Sequence, residues 1–173
     1  MEVVENLAQW QTGFEVGWLA HLDQTGETDW SIYPKIKNQS APSGKRVDLA
    51  QSRLLLISTA GGYLQTSQTP YDAASLLGDY SIRRFPVSTS FDELAFAHDH
   101  YDHTSVTEDA QVLLPLRHLA AMVDEGTIGE LAENVVSYSG YQPNVTRILN
   151  ETAPAVLEAV RAEQANAVLL VPA

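Results

Sequence analysis

The sequence predicts an α/β fold: a three-layer, doubly wound, mostly parallel sheet that is incomplete at its C-terminus. Three observations carry this expectation. Short continuous apolar runs, "RLLLIS" at 53–58 and the run inside "NAVLLVPA" at 166–173, have the composition of strands buried on both faces. Stretches with helical periodicity separate the strands, as crossovers between parallel neighbours require. The chain then closes on the last of these strands, with no further helix in the 173 residues to cover the sheet beside it.

The elements follow in order. "ENLAQWQTGFEVGWLAHL" (5–22) sets Leu7, Trp10, Phe14, Trp18 and Leu22 three or four apart, one apolar stripe of a helix. His21, beside that stripe near the helix C-terminus, reads as a surface residue where positive charge is favoured. Residues 23–48 are polar and interrupted by Gly and Pro, a loop with one short extended patch around Trp30–Tyr33. Residues 1–46 are thus expected to form an N-terminal helix and loop, and residues 47–173 the α/β domain. Within it, "RLLLIS" closes on "TAGG", and "SIRRF" (81–85) and "ELAFA" (93–97) are weaker strand candidates, the first ended by Pro86. "PLRHLAAMVDEG" (115–126) is a helix with Pro in its first turn and Gly126 as its stop. "NVVSYSG" (134–140) is a strand, residues 143–164 are helical with a kink or break at Pro154, and 166–173 form the final strand. Parallel strands are expected near 53–58, 135–139 and 167–171.

Composition removes several classes of function. Ten Lys and Arg against 22 Asp and Glu give a net charge of −12, which repels a phosphate backbone or an anionic membrane surface. No basic patch offsets this, because Lys45-Arg46 and Arg83-Arg84 are the only adjacent basic pairs. Nucleic acid and membrane are therefore not expected as partners. The N-terminus "MEVVENLAQWQ" carries acids where a signal peptide needs a cationic start, and no apolar run reaches the roughly 18 residues of a membrane span, so a cytoplasmic protein is expected. With no cysteine, the 173 residues hold no disulfide, thiolate metal site or cysteine nucleophile.

In a doubly wound sheet, ligands bind at the carboxyl ends of the strands, where the βα loops converge. "STAGGY" places Thr59 and the adjacent Gly61 and Gly62 after the first strand. Two glycines let backbone N–H groups approach an anion such as a carboxylate, and they equally suit a plain tight turn. The spacing matches neither a dinucleotide loop nor a phosphate loop. "FAHDHYDHTS" (96–105) holds three of the chain's five histidines. His98, His100, Asp102 and His103 spell H-x-H-x-D-H, similar to the first metal-binding motif of the metallo-β-lactamase-like hydrolases, and alternating histidines entering a loop can reach one ion together. Such a site is completed by later His and Asp ligands, and the only histidine after 103 is His118, inside the 115–126 helix. The cluster is a candidate catalytic group, with metal binding by His98, His100 and His103 as the alternative.

The segments "ISTAGGYL", "PYD", "GDYSIRRFP", "AHDHYDHTS", "EDAQVLLPLRHLAAMVDEGTIGELAENVVSYSGYQPN" and the terminal "AVLLVPA" resemble, in order and spacing, the glycine/sarcosine/betaine/D-proline reductase family, the selenoprotein B group. The resemblance runs from about Val47 to Ala173, and the proportions are most like those of the short D-proline reductase subunit. It implies that the apolar strand ending in Pro and a small residue is followed at once by selenocysteine or cysteine. The expectation is therefore a chain truncated just before that residue, at an in-frame UGA codon otherwise read as stop, and holding no cofactor of its own.

The same resemblance implies the chemistry, which is reductive cleavage of a C–N bond in a small amino-acid substrate: D-proline, glycine, sarcosine or betaine. A selenolate or thiolate attacks the carbon bearing nitrogen once the pyruvoyl group of a partner subunit has activated the substrate, and a dithiol or thioredoxin-type donor supplies electrons. An ordinary thiol, with a pKa near ~8.5, is mostly protonated at neutral pH, so its anion needs imidazolium or N–H donors and the departing amine needs a proton. His98, His100 and His103 suit both tasks, Asp102 suits orienting an imidazole, and Thr59, Gly61 and Gly62 suit holding the substrate carboxylate. The 173 residues alone are expected to be inactive, because Ser and Thr do not cycle electrons. Two other classes of function stand beside this one: a degenerate metallohydrolase or metal-binding protein, and a non-catalytic scaffold subunit that binds a partner through its acidic surface.

Overall fold

The computed structural model describes residues 4–35, 37–40, 46–97 and 108–173. The chain divides into two compact units, one over residues 1–46 with Asn144–Thr146, the other comprising Val47–Pro143 and Arg147–Ala173.

The first unit is built on one helical rod. α1 (Leu7–Gly13) passes into a π-helical stretch, Phe14–Leu19, and then into α2 (Ala20–Thr25), which Gly26 ends in the left-handed region at φ 74°. The predicted stripe is the buried one: Trp10, Phe14, Trp18 and Leu22 all face the core. Its spacing explains the π stretch. Four residues of α-helix turn through about 400°, so side chains set strictly four apart drift by about 40° per step. A π turn holds more residues, which cuts the drift and keeps the rings aligned. Trp10 and Phe14 stack at 4.8 Å between centroids and Phe14 and Trp18 at 5.3 Å. Tyr33 meets all three rings edge-on. The extended patch expected at Trp30–Tyr33 is instead a turn, because aromatic packing on the rod decides its shape.

The second unit holds strands β1 (Arg53–Ser58), β2 (Gly62–Leu64), β3 (Ile82–Pro86), β4 (Leu94–Phe96), β5 (Glu130–Leu131), β6 (Asn134–Tyr138) and β7 (Ala167–Val171), with helices α3 (Leu116–Asp124) and α4 (Ala153–Ala162). β1 is central. Leu54 pairs with both Leu131 and Ala167, and Ile57 with both Val136 and Leu170, all in parallel register. β5 and β6 therefore share one flank of β1, and β7 takes the other. β3 adds to β6 antiparallel, from Ile82↔Tyr138 to Pro86↔Asn134, which puts the proline at a strand end where its missing N–H does no harm.

Alternation along β1 sends its side chains to two cores. Leu54 and Leu56 pack with Phe85, Ile128, Val135 and the Leu116 and Leu119 face of α3. Leu55 and Ile57 pack with Val136 and with Val156, Ala159 and Val160 of α4. The sheet is thus mostly parallel with a helix against each core, the α/β class expected. Among the described residues no helix is long and apolar enough to cross a membrane.

Two placements differ from the sequence reading. "ELAFA" does not join the main sheet: β4 pairs antiparallel with β2 in a separate two-stranded sheet, Gly62↔Phe96 to Leu64↔Leu94. The "TAGGY" segment is accordingly the entry to a strand as well as a turn. In the helical stretch after 143, the disruption lies just before Pro154. Ile148–Thr152 is π-helical, Ala153 N–H reaches back five residues to the Ile148 carbonyl, and Pro154 falls in the first turn of α4, where it has no donor to lose.

Candidate active site

The parallel register brings the carboxyl ends of β1, β6 and β7 to one edge, and Thr59 ties them together. Its N–H donates to the Val171 carbonyl at 3.1 Å, its carbonyl accepts from Gly140 N–H at 2.9 Å, and its Oγ1 accepts from Ala173 N–H at 2.8 Å. The last residue of the chain therefore sits on the first loop of the sheet. Thr59 is half-buried.

Gly61 turns the chain away from β1 with φ 65°, a conformation that a side chain disfavours. Its N–H donates to the Tyr138 carbonyl and its own carbonyl accepts from Ala97 N–H, each at 3.0 Å. Gly62 N–H donates to Ser137 Oγ at 2.8 Å, and a Cβ there would stand 3.3 Å from the Phe96 ring. Both glycine amides thus already donate within the protein. Ser137 is held in turn by the buried Tyr71, whose hydroxyl donates to its carbonyl at 2.7 Å. Burial pushes the Tyr71 phenol far up, so it stays a neutral donor, with Arg83 lying 4.4 Å over its ring.

Of the sequence-derived candidates, the structure gathers Thr59, Gly61 and Gly62 at this edge. His98, His100, Asp102 and His103 lie outside the described residues. The residue before them, Ala97, is the one bonded to Gly61. Beyond them, Ala110 and Leu113 pack with Ala60, Phe91 and Phe96 in one small cluster. His118 is exposed on α3. Among the described residues no three His, Asp or Glu side chains are grouped to share a metal ion.

Next to that cluster lies an open cavity of ≈ 860 Å³, lined among others by Phe91, Phe96, Asp109, Gln111 and Arg117. Gln111 is 5% exposed; its N–H donates to Asp109 Oδ1 at 3.0 Å and its Oε1 accepts from Arg117 N–H at 2.9 Å. Its Nε2 is buried with no partner among the described residues. Arg117 and Asp109 pair at 3.2 Å on the rim. Sequence reasoning did not single out Gln111, Tyr71 or Ser137. For Gln111 the available signal was a lone amide inside an otherwise apolar run, "AQVLLP", which marks a polar group that must be satisfied inside; Tyr71 and Ser137 carried no such mark.

The model of the glycine/sarcosine/betaine reductase selenoprotein B family matches residues 27–173. The chain belongs to this family. The match takes in the whole second unit and also reaches into the loop of the first, earlier than the resemblance traced from Val47. A relative, the D-proline reductase subunit gamma of Acetoanaerobium sticklandii, is 25% identical over 123 residues, which is 71% of this chain and 49% of the relative. The chain spans about half the length of that curated relative. No solved structure matches it.

Proposed function

We propose that this selenoprotein B family chain is a component of an amino-acid reductase that cleaves the C–N bond of D-proline, or of glycine, sarcosine or betaine, with electrons from a dithiol. One observation carries the reading: the "TAGGY" loop, the residue entering the histidine segment and residue 173 meet at a single sheet edge, through Gly61 to Ala97 and Thr59 to Ala173. Chemistry at that edge is what an open α/β sheet favours.

The pyruvoyl group of a partner subunit would activate the substrate, and a selenocysteine or cysteine outside these cysteine-free residues would supply the electron pair that displaces nitrogen. The chain's own residues do the rest. His98, His100 and His103 stabilise the attacking anion and deliver the proton that the leaving amine takes, with Asp102 orienting one imidazole. Thr59 offers its hydroxyl to the substrate carboxylate. Gly61 and Gly62, whose amides are already engaged, shape the floor that lets the carboxylate approach.

The test is reconstitution. The chain extended beyond Ala173 with a selenocysteine- or cysteine-containing segment, combined with the pyruvoyl subunit and dithiothreitol, is expected to consume at least one of the four substrates, and the 173 residues alone none. A fully assembled, extended complex that reduces none of the four overturns the reading.

A further inference from the structure

The helices cover the main sheet unevenly. α4 lays Val156, Ala159 and Val160 over β1 and β6, and stops short of β7. Along β7 the side chains alternate: Ala167, Leu169 and Val171 join the core shared with α3, whereas Val168 and Leu170 point the other way and are 47% and 52% exposed. Leu157, on the near flank of α4, is 48% exposed. These three side chains border an open groove of ≈ 780 Å³ with Ile57, Tyr138 and Val160 in its floor and wall. None of its lining residues is charged, although 18% of the chain is. In parallel sheets both faces are covered by helices, and a bare apolar strand face beside a helix has the shape to take another.

We propose that this groove seats an amphipathic helix from the part of the family's polypeptide that these 173 residues do not contain, lying antiparallel to β7 with its N-terminus beside Thr59. The occupant follows from three facts. The D-proline reductase subunit gamma is about twice as long as the stretch it shares with this chain. Pro172 and Ala173 line the groove, and the bond from Ala173 N–H to Thr59 Oγ1 holds this end of β7 beside it, so polypeptide joined to Ala173 starts at the groove. A second copy fits less well: each carries a net charge of −12, and pairing two β7 edges would leave the wall at Leu157 uncovered. The proposal rests on family membership and on the groove, not on the reductase chemistry, so its readout is not activity.

Because the chain has no cysteine, Leu170→Cys places a single thiol in the groove. Its maleimide-labelling rate is compared between the 173-residue chain and a fusion in which Ala173 continues into the part of the Acetoanaerobium subunit that lies outside the matched stretch, any cysteine or selenocysteine there replaced by serine. Labelling of Leu170→Cys and of Leu157→Cys is expected to slow at least about tenfold in the fusion, as burial under a stable element requires. Val47→Cys, at an equally exposed position (53%) outside the groove, keeps its rate. Equal labelling in chain and fusion, or protection of only one groove position, overturns the proposal. Slow, concentration-dependent labelling in the chain alone also overturns it, since the occupant is then a second copy.

Discussion

At the amino edge of the main sheet, the buried Glu163 accepts hydrogen bonds from Asn134 Nδ2 at 2.8 Å and from the N–H groups of Glu133 and Asn134, and pairs with Arg84. Arg53 closes the same edge, donating to the Glu163 carbonyl at 2.7 Å and pairing with Glu130 at 3.0 Å. At the carboxyl edge stand Thr59, Gly61 and Gly62, beside a cavity into whose wall Gln111 is built with no partner for its Nε2 among the described residues. One edge satisfies its charges internally and gains rigidity; the other leaves room and polar capacity. In open α/β sheets these are the edges of stability and of chemistry.

The comparison is sharpest where the two edges are mutated in parallel. In the reconstituted complex proposed above, His100→Ala is expected to lower the rate by about 10²–10⁴-fold while leaving the urea midpoint of the chain unchanged, the signature of an acid or anion stabiliser. A rate within a factor of about two of the wild type would place that residue outside the chemistry. At the amino edge, Glu163→Ala should cost about 3 kcal/mol of stability, because it strands a guanidinium and three N–H donors that the carboxylate had satisfied. Urea unfolding measures it, and a loss below about 0.5 kcal/mol, the scale of an exposed pair, would mean the edge is not locked.

Gly61→Ala probes the carboxyl edge for shape rather than chemistry. A side chain at φ 65° should cost about 1–2 kcal/mol, seen as a lower unfolding midpoint with secondary structure intact by circular dichroism. The smallest effect is in pH. Burial raises the Glu163 carboxyl, but hydrogen bonds from Asn134 and Arg84 together outweigh it and hold the group below its ordinary 4.5. A depressed folded value means that the stabilisation is complete above the unfolded pKa and is lost as pH falls through the folded one. Wild-type stability should therefore decline more steeply than that of Glu163→Gln between neutral pH and the region below 4.5. Parallel declines would show that the lock does not depend on ionisation.

The two edges were not equally legible in the sequence. The apolar stripe of Trp10, Phe14, Trp18 and Leu22, the buried run of β1 and the final strand follow from periodicity, because one face of each element must leave water wherever it packs. Thr59, Gly61 and Gly62 could be placed at a strand's end by the same reasoning. The partners of "SIRRF" and "ELAFA" could not, since short strands with mixed faces carry no mark of which neighbour they pair with or in which direction. Glu163 escaped notice altogether, as nothing in "VRAEQAN" separates a buried carboxylate from a solvated one.

By itself the sequence determined the class of fold, the helical and extended segments, the family and the absence of any thiol among these residues, all of which depend on local pattern or composition. Only the tertiary structure decided that Ala97 and Ala173 meet the "TAGGY" loop, that both glycine amides are already engaged, and that β7 keeps an uncovered apolar face. The physical reason is range. Periodicity reports whether a side chain leaves water, whereas a hydrogen bond between residues 59 and 173 depends on the register of parallel strands brought together across more than a hundred residues.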